Sequence, residues 1–302
     1  MALNNVLLAQ WYSEVRNFGD CLTPYMIRRF TGSTPVNLLP CWRGLNLFRH
    51  SWGRPETVFA LCQRFGISNL SEYVLAGSIL GWGDWRDDVQ VVWGAGFMDE
   101  EARLRHRPRL LAAVRGARTL DQLPPAWRSE VSALGDPGVL IGDLVANRPP
   151  SQNGVIGLIP HHQQRHLPVV KALADCDHVM LIDVGDDVET VVRAIARCEV
   201  VVSSAMHGVI AADSLGRPNR WIRLDDGPLP PGGQFKFQDY FSVTGHGQDV
   251  PDRVSCIASL MAAADKAIAR DVRAIKADLM RTMPLPKPAV SSRPHPVPAA
   301  AA

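Results

Sequence analysis

The sequence predicts an α/β protein with mainly parallel sheets, on three observations. Apolar runs of strand length recur along the chain, each closed by glycine or polar residues. Segments with helical spacing lie between them. The 302 residues exceed one domain of about 150, so two domains are expected.

The strand-like runs are 5–10, 73–76, 89–93, 155–159, 179–183 and 200–203. The clearest helix is 186–198, where Val188, Val191, Val192, Ile195 and Ala196 share one face and Asp186 or Asp187 caps the start. Near the amino terminus a helix is expected from Thr23 or Pro24 to Phe30, stopping at Gly32. The stretch 144–154, with Pro149, Pro150 and Gly154, reads as a domain boundary. The expected domains are therefore 1–145 and 154–250, followed by a helical segment, 251–283, that crosses back over the first domain. Its apolar positions include Val254, Ile257, Leu260, Met261, Ala264, Ile268 and Ile275. Residues 284–302 hold six prolines and little that could build a core, so a disordered tail is expected.

Composition narrows the function classes. With 32 Lys+Arg against 30 Asp+Glu and 46% hydrophobic residues, the chain is too apolar for disorder and too evenly charged for a dedicated nucleic-acid binder. The six cysteines show no two-residue spacing, which argues against a zinc or thioredoxin-type site and for a reduced compartment. No basic segment followed by an apolar run opens the chain, and no window reaches the ~18 apolar residues of a membrane span. A cytoplasmic protein is expected.

The sharpest motif is VVVSSAMHGVIAADSLGRP, 200–218. A β-branched run ends in Ser203 and Ser204, then His207 and Gly208 open a helix that stops at Gly216. His207 is thus placed at a helix N-terminus on the carboxyl edge of a parallel strand, where ligands and anions bind. Such a helix end disfavours imidazolium, so His207 is available neutral unless a bound phosphate offsets the effect. GVIGLIPHH, 154–162, brings His161 and His162 to the same edge. His162 and His166 have the spacing of helical metal ligands, but no carboxylate or cysteine pattern completes such a site, and phosphate or substrate contact by His161 is favoured.

In the first half, Gly94 and Gly96 follow a strand. A dinucleotide fingerprint would need glycine at position 99, which is Asp99, so these glycines serve a tight turn beside a ligand or helix. Gly77-Ser78 makes a similar turn. Arg115 stands apart from the basic stretch 103–109, at the end of the apolar run 110–114, where a fixed guanidinium suits a carboxylate or phosphate. The outer arginines read as a solvated face or as a contact for anionic lipid. Asn17, Gly19 and Asp20 precede the first helix, and Asp20 fits capping and catalysis alike. LGDPG (134–138) and FKFQDYF (235–241) read as charged, turn-like punctuation, with Lys236 an isolated lysine.

Taken in order, NFGDCLTPYMIRRFTG, GSIL, VVWGAGFM, VRGARTL, ALGDPGVL, GLIPHH, VVVSSAMHGVIAADSLGRP and KFQDYF resemble the polysaccharide pyruvyl transferase family, especially its succinoglycan and xanthan-type exopolysaccharide branch. The resemblance implies a GT-B-like pair of Rossmann-like domains facing a central cleft. It also implies transfer of the enolpyruvyl carbons of phosphoenolpyruvate onto two hydroxyls of a sugar, giving a cyclic pyruvate ketal and phosphate, with no cofactor. His207 falls at the family's donor-site histidine and Arg115 at its Arg-Gly arginine. Many members carry Arg-Leu-His where this chain has Ala205-Met206-His207, so another cation must serve the donor; Arg115, His161 and Lys236 are the candidates.

On that reading His207 is the acid, and Asp20 or His161 the base. Arg115, Lys236, Ser203, Ser204, Gly208, Asn17, Gly19, Gly94 and Gly96 contact substrate. The donor sits on the carboxyl-terminal domain and the acceptor on the amino-terminal one. The implied acceptor is a lipid-linked oligosaccharide or polysaccharide at the inner face of the cytoplasmic membrane. The competing readings are a nucleotide-sugar glycosyltransferase and a non-catalytic carbohydrate-binding subunit of a polysaccharide machine.

Overall fold

In the computed structural model, which describes residues 6–38, 70–84, 86–224 and 230–287, the strands segregate into two parallel sheets. The first contains β1 (Val6–Gln10), β2 (Thr34–Asn37), β3 (Glu72–Val74), β4 (Gln90–Trp93), β5 (Leu110–Val114) and β6 (Ala133–Leu134), in the order β2-β1-β3-β4-β5-β6. The second contains β7 (Ile156–Ile159), β8 (Val179–Leu181), β9 (Val200–Ser203), β10 (Asn219–Leu224) and β11 (Asp252–Val254), in the order β11-β10-β9-β7-β8. Strands β4 and β7 are buried along their whole length, as their unbroken apolar or near-apolar runs require of a sheet covered on both faces. Residue 5 of the first expected strand and 288–302 of the expected tail lie outside the described residues.

The described helices, in chain order, are α1 (Phe18–Thr31), α2 (Ala117–Gln122), α3 (Pro125–Arg128), α4 (Ile141–Leu144), α5 (Pro168–Ala174), α6 (Val188–Arg197), α7 (Met206–Ser214), α8 (Phe235–Phe241), α9 (Ile257–Ala264) and α10 (Arg273–Thr282). A 3₁₀ turn, Pro137–Leu140, precedes α4. Helix α6 begins where its pattern indicates: the Asp187 carboxylate accepts the Thr190 N–H at 3.0 Å, and Val188, Val191, Val192, Ile195 and Ala196 are buried. Helix α1 instead starts at Phe18, ahead of the expected Thr23 or Pro24. Burial of Phe18, Leu22 and Met26 against the apolar stripe of α6 outweighs the proline inside the helix. Gly32, left-handed at φ 68°, closes it.

The carboxyl-terminal stretch is not one helical segment. Asp252–Val254 is an edge strand, with Val254 buried and Arg253 exposed in a period of two, and α9 packs on the second sheet. Only α10 crosses to the first sheet, where Trp93 donates from Nε1 to the Leu279 carbonyl at 3.1 Å and Ile275 and Leu279 join Ala112 and Ala113. Leu285, expected in a coreless tail, is buried in that same cluster because its side chain follows α10 onto the sheet. No helix among the described residues is long and apolar enough to cross a membrane.

Candidate functional site

A cavity of about 350 Å³ lies where the carboxyl ends of both sheets meet. The first sheet contributes Tyr12 and Asn17 beyond β1, Ser78 and Trp82 beyond β3, and Met98 beyond β4; the second contributes His161 and His162 beyond β7, and Ala205, His207 and Gly208 beyond β9. Asp20 enters from the first turn of α1 and Lys236 from α8. The strand-edge location is the one that open parallel sheets reserve for ligands.

His207 is the second residue of α7, after an extended Ala205. Its Nε2 lies 3.5 Å from Oδ2 of Asp136, a wholly buried carboxylate between β6 and the 3₁₀ turn. The other Asp136 oxygen accepts the Gly138 N–H at 2.8 Å. Burial acts to raise the Asp136 pKa, but His207, the Gly138 N–H and Arg115 together hold it below the usual carboxylate range. Asp136 is the residue that sequence reasoning missed, since Leu-Gly-Asp-Pro-Gly reads as a turn.

Serines 203 and 204 lie behind the cavity wall. Ser203 shares its one hydroxyl hydrogen between the carbonyls of Ile159 (3.0 Å) and Ala205 (2.8 Å) and accepts the Ala205 N–H. Ser204 accepts the His161 N–H (3.0 Å) and donates to Gln164 (2.7 Å). Together they clamp the ends of β7 and β9, which sets the positions of His161 and His207. Gly208 lines the cavity and is glycine because a Cβ there would sit 2.5 Å from the Ser203 hydroxyl.

Asp20 is pushed up to about 6 by burial, against the opposing pull of the Asn17 amide, which donates to it at 2.8 Å, and of His207 and Lys236. Asn17, not Asp20, precedes the first helical residue of α1. Burial, then Lys236 and His162, push His161 down to about 3, so it is a neutral imidazole at physiological pH, its ring 4.2 Å from that of His162. Lys236, only 7% exposed, is lowered to about 8 by burial and by Arg115, with Asp20 opposing. Among the described residues no carboxylate lies within ion-pair distance of its ammonium.

Arg115 does not line the cavity. It is wholly buried, donating from Nε to Asp239 Oδ2 (2.8 Å), from Nη2 to the Phe97 carbonyl (2.7 Å) and from Nη1 to the Ser78 hydroxyl. All its nitrogens are engaged, which removes it as a direct donor contact. Asp239 also accepts the N–H and hydroxyl of Thr119 at 2.8 and 2.7 Å, so this cluster fixes α8 to the first sheet and presents Lys236 to the cavity. Gly96 is glycine because a Cβ would lie 2.4 Å from the Arg115 guanidinium carbon. Gly94, at φ 88°, would meet Pro137 at 2.2 Å. Both glycines serve packing rather than substrate contact. Gly19 does not line the cavity but packs against a residue that does: a Cβ would lie 2.1 Å from His207 Nδ1.

Several arginines of the basic stretch already have partners. Arg107 pairs with Glu130 at 2.7 Å, and Arg109 donates to the Asp88 carbonyl and the Ser71 hydroxyl. Arg103 donates to the carbonyls of Glu100 and Ala102. His166 accepts from Arg165 at 3.0 Å, and among the described residues no three His, Cys, Asp or Glu side chains converge as metal ligands.

An uncharacterized protein of Acanthamoeba polyphaga mimivirus is 38% identical over 143 residues, 45% of this chain and 48% of the relative, so the chain spans about half the length of the curated relative it matches. Residues 90–226, which carry Arg115, Asp136, His161 and His207, match the family model described as polysaccharide pyruvyl transferase.

Proposed function

We propose that this protein transfers the enolpyruvyl carbons of phosphoenolpyruvate onto two hydroxyls of one sugar in an exopolysaccharide repeat unit, forming a cyclic pyruvate ketal and releasing phosphate. The observation that carries the reading is the convergence on one cavity, at the carboxyl ends of both sheets, of a lysine with no ion-pair partner among the described residues, an imidazole at a helix N-terminus and a buried carboxylate with a raised pKa. The donor carries a carboxylate and a phosphate, which suit the Lys236 ammonium and the N-terminus of α7, which no side chain caps. With Arg115 locked in the wall and His161 uncharged, Lys236 is the cation that serves in place of an arginine at position 205.

In the proposed sequence His207 delivers a proton to the methylene carbon, leaving positive charge on the central carbon. The first sugar hydroxyl attacks that carbon while Asp20 takes its proton. The carbon–oxygen bond to phosphate then breaks, phosphate leaves with the bonding pair and takes up the proton held by Asp20, and the second hydroxyl closes the ring as its proton passes to His207, which restores both groups. His161 contributes neutral hydrogen bonding rather than a strong base. The acceptor ring fits the wall made by Tyr12 and Trp82, whose rings meet edge to face at 6.1 Å. A lipid-linked or polymeric saccharide at the inner face of the cytoplasmic membrane is the acceptor class that goes with this reading. The test is inorganic phosphate release from phosphoenolpyruvate across a panel of saccharide acceptors, with His207→Ala as the control that abolishes it and with nucleotide sugars as the competing donors.

A further inference from the structure

We infer that Asp136 is the positioning residue of His207: it holds the imidazole by Nε2 and leaves Nδ1 as the nitrogen that acts in the cavity. Two buried polar atoms face each other at 3.5 Å, Asp136 Oδ2 and His207 Nε2, and neither has another hydrogen-bond partner among the described residues. An orphaned buried carboxylate oxygen is costly, so its placement against the ring calls for a proton between them. Hydrogen bonds of catalytic groups are commonly long before substrate binds. The carboxylate itself is fixed, since Oδ1 accepts the Gly138 N–H and Gly138 has no room for a side chain, its Cβ position lying 2.9 Å from Ile210 and 3.0 Å from Oδ1. Asp136 stands at the end of the first sheet and His207 on the second, so the pair also ties the two halves at the site.

A buried carboxylate against Nε2 favours the tautomer with the proton on that nitrogen, and the ring then exchanges protons with substrate through Nδ1. This is the division of labour by which a carboxylate fixes the tautomer of a histidine in a hydrolytic triad. The catalytic part of the inference rests on the pyruvyl-transfer reading; the pairing does not.

Asparagine at 136 separates this role from simple capping, because its carbonyl oxygen still accepts the Gly138 N–H while its NH₂ turns a donor toward Nε2. The experiment is ¹⁵N NMR of histidine-labelled full-length protein, with His207 assigned by its loss in His207→Gln, alongside steady-state phosphate release. The wild-type spectrum of the donor-free protein is expected to show His207 with the proton on Nε2 and Nδ1 bare, ready to take up the proton it delivers when the anionic donor binds, and Asp136→Asn to shift it toward the Nδ1–H form. In turnover Asp136→Asn is expected to lower kcat by roughly 10²–10³-fold with KM for phosphoenolpyruvate changed less than about threefold. A wild-type ring protonated on Nδ1 overturns the inference without recourse to any variant, as does Asp136→Asn with the wild-type tautomer and rate. A tautomer that shifts as expected in a protein that releases no phosphate from phosphoenolpyruvate leaves the pair standing and removes the pyruvyl-transfer reading.

Discussion

Gly19 and His207 come from opposite halves of the molecule and meet so closely that a methyl group on the glycine would lie 2.1 Å from the imidazole Nδ1. The contact joins the first turn of α1 to the first turn of α7, beside the cavity that His207 lines. Gly19→Ala therefore either displaces the ring or opens the two helix ends. The expected outcome is a destabilisation of about 1–3 kcal/mol, as for other overpacked sites, and a loss of turnover far larger than the loss of folded protein. Thermal melts and phosphate release on the same preparation check this.

Lys236 sets an upper pH limit. Its ammonium is the donor-binding form, and with a pKa lowered to about 8 that form is present below pH 8 and lost above it. Binding of phosphoenolpyruvate is expected to weaken as pH rises through 8 and to weaken at all pH values in Lys236→Met. Titration calorimetry or tryptophan quenching at pH 6.5, 7.5 and 9, roughly spanning that transition, measures it.

Asp20 sets the lower limit and carries a stability cost. Because burial raises its folded pKa to about 6 from an ordinary 3.8, the folded state binds the proton more tightly than the unfolded one. Stability tied to this group is fully present below the unfolded pKa, falls as pH rises between about 4 and 6, and stays reduced above. Asp20→Asn is expected to raise stability at pH 7 by on the order of 1–2 kcal/mol, after allowance for screening, and to remove turnover. A melt at pH 7 and at pH 4 separates the two effects, since the gain vanishes at the lower pH.

The buried pair Arg115 and Asp239 supports the fold more than it touches the chemistry. Removing either partner leaves an uncompensated charge with no exposure to water. Arg115→Met is expected to cost about 3–5 kcal/mol and to loosen α8, seen in denaturant unfolding and in faster amide exchange over 235–241.

The contrast between these residues explains what the sequence could convey. Strands such as Ile156–Ile159 and the amphipathic α6 are legible because burial imposes a local period. His207 is legible for a similar reason, since a β-branched run followed by small residues and a helix end specifies its place on a sheet edge. Arg115 is not: its partner lies 124 positions away, and nothing local distinguishes a guanidinium that meets a ligand from one that meets Asp239. Asp136 is hidden by its neighbours, because proline and glycine explain the turn without any need for the carboxylate to face His207. The early start of α1 and the strand at Asp252–Val254 escape local reading because tertiary packing decides them.

The most direct measurement is the mass of the product. Purified protein, phosphoenolpyruvate, nucleotide sugars and membrane-extracted saccharides are incubated together, with phosphate and saccharide mass followed in parallel. The account predicts phosphate released in equal measure with a saccharide heavier by one pyruvate less one water, and neither product with His207→Ala. A saccharide that gains a sugar from a nucleotide donor instead, or a His207→Ala protein that turns over at the wild-type rate, would contradict it.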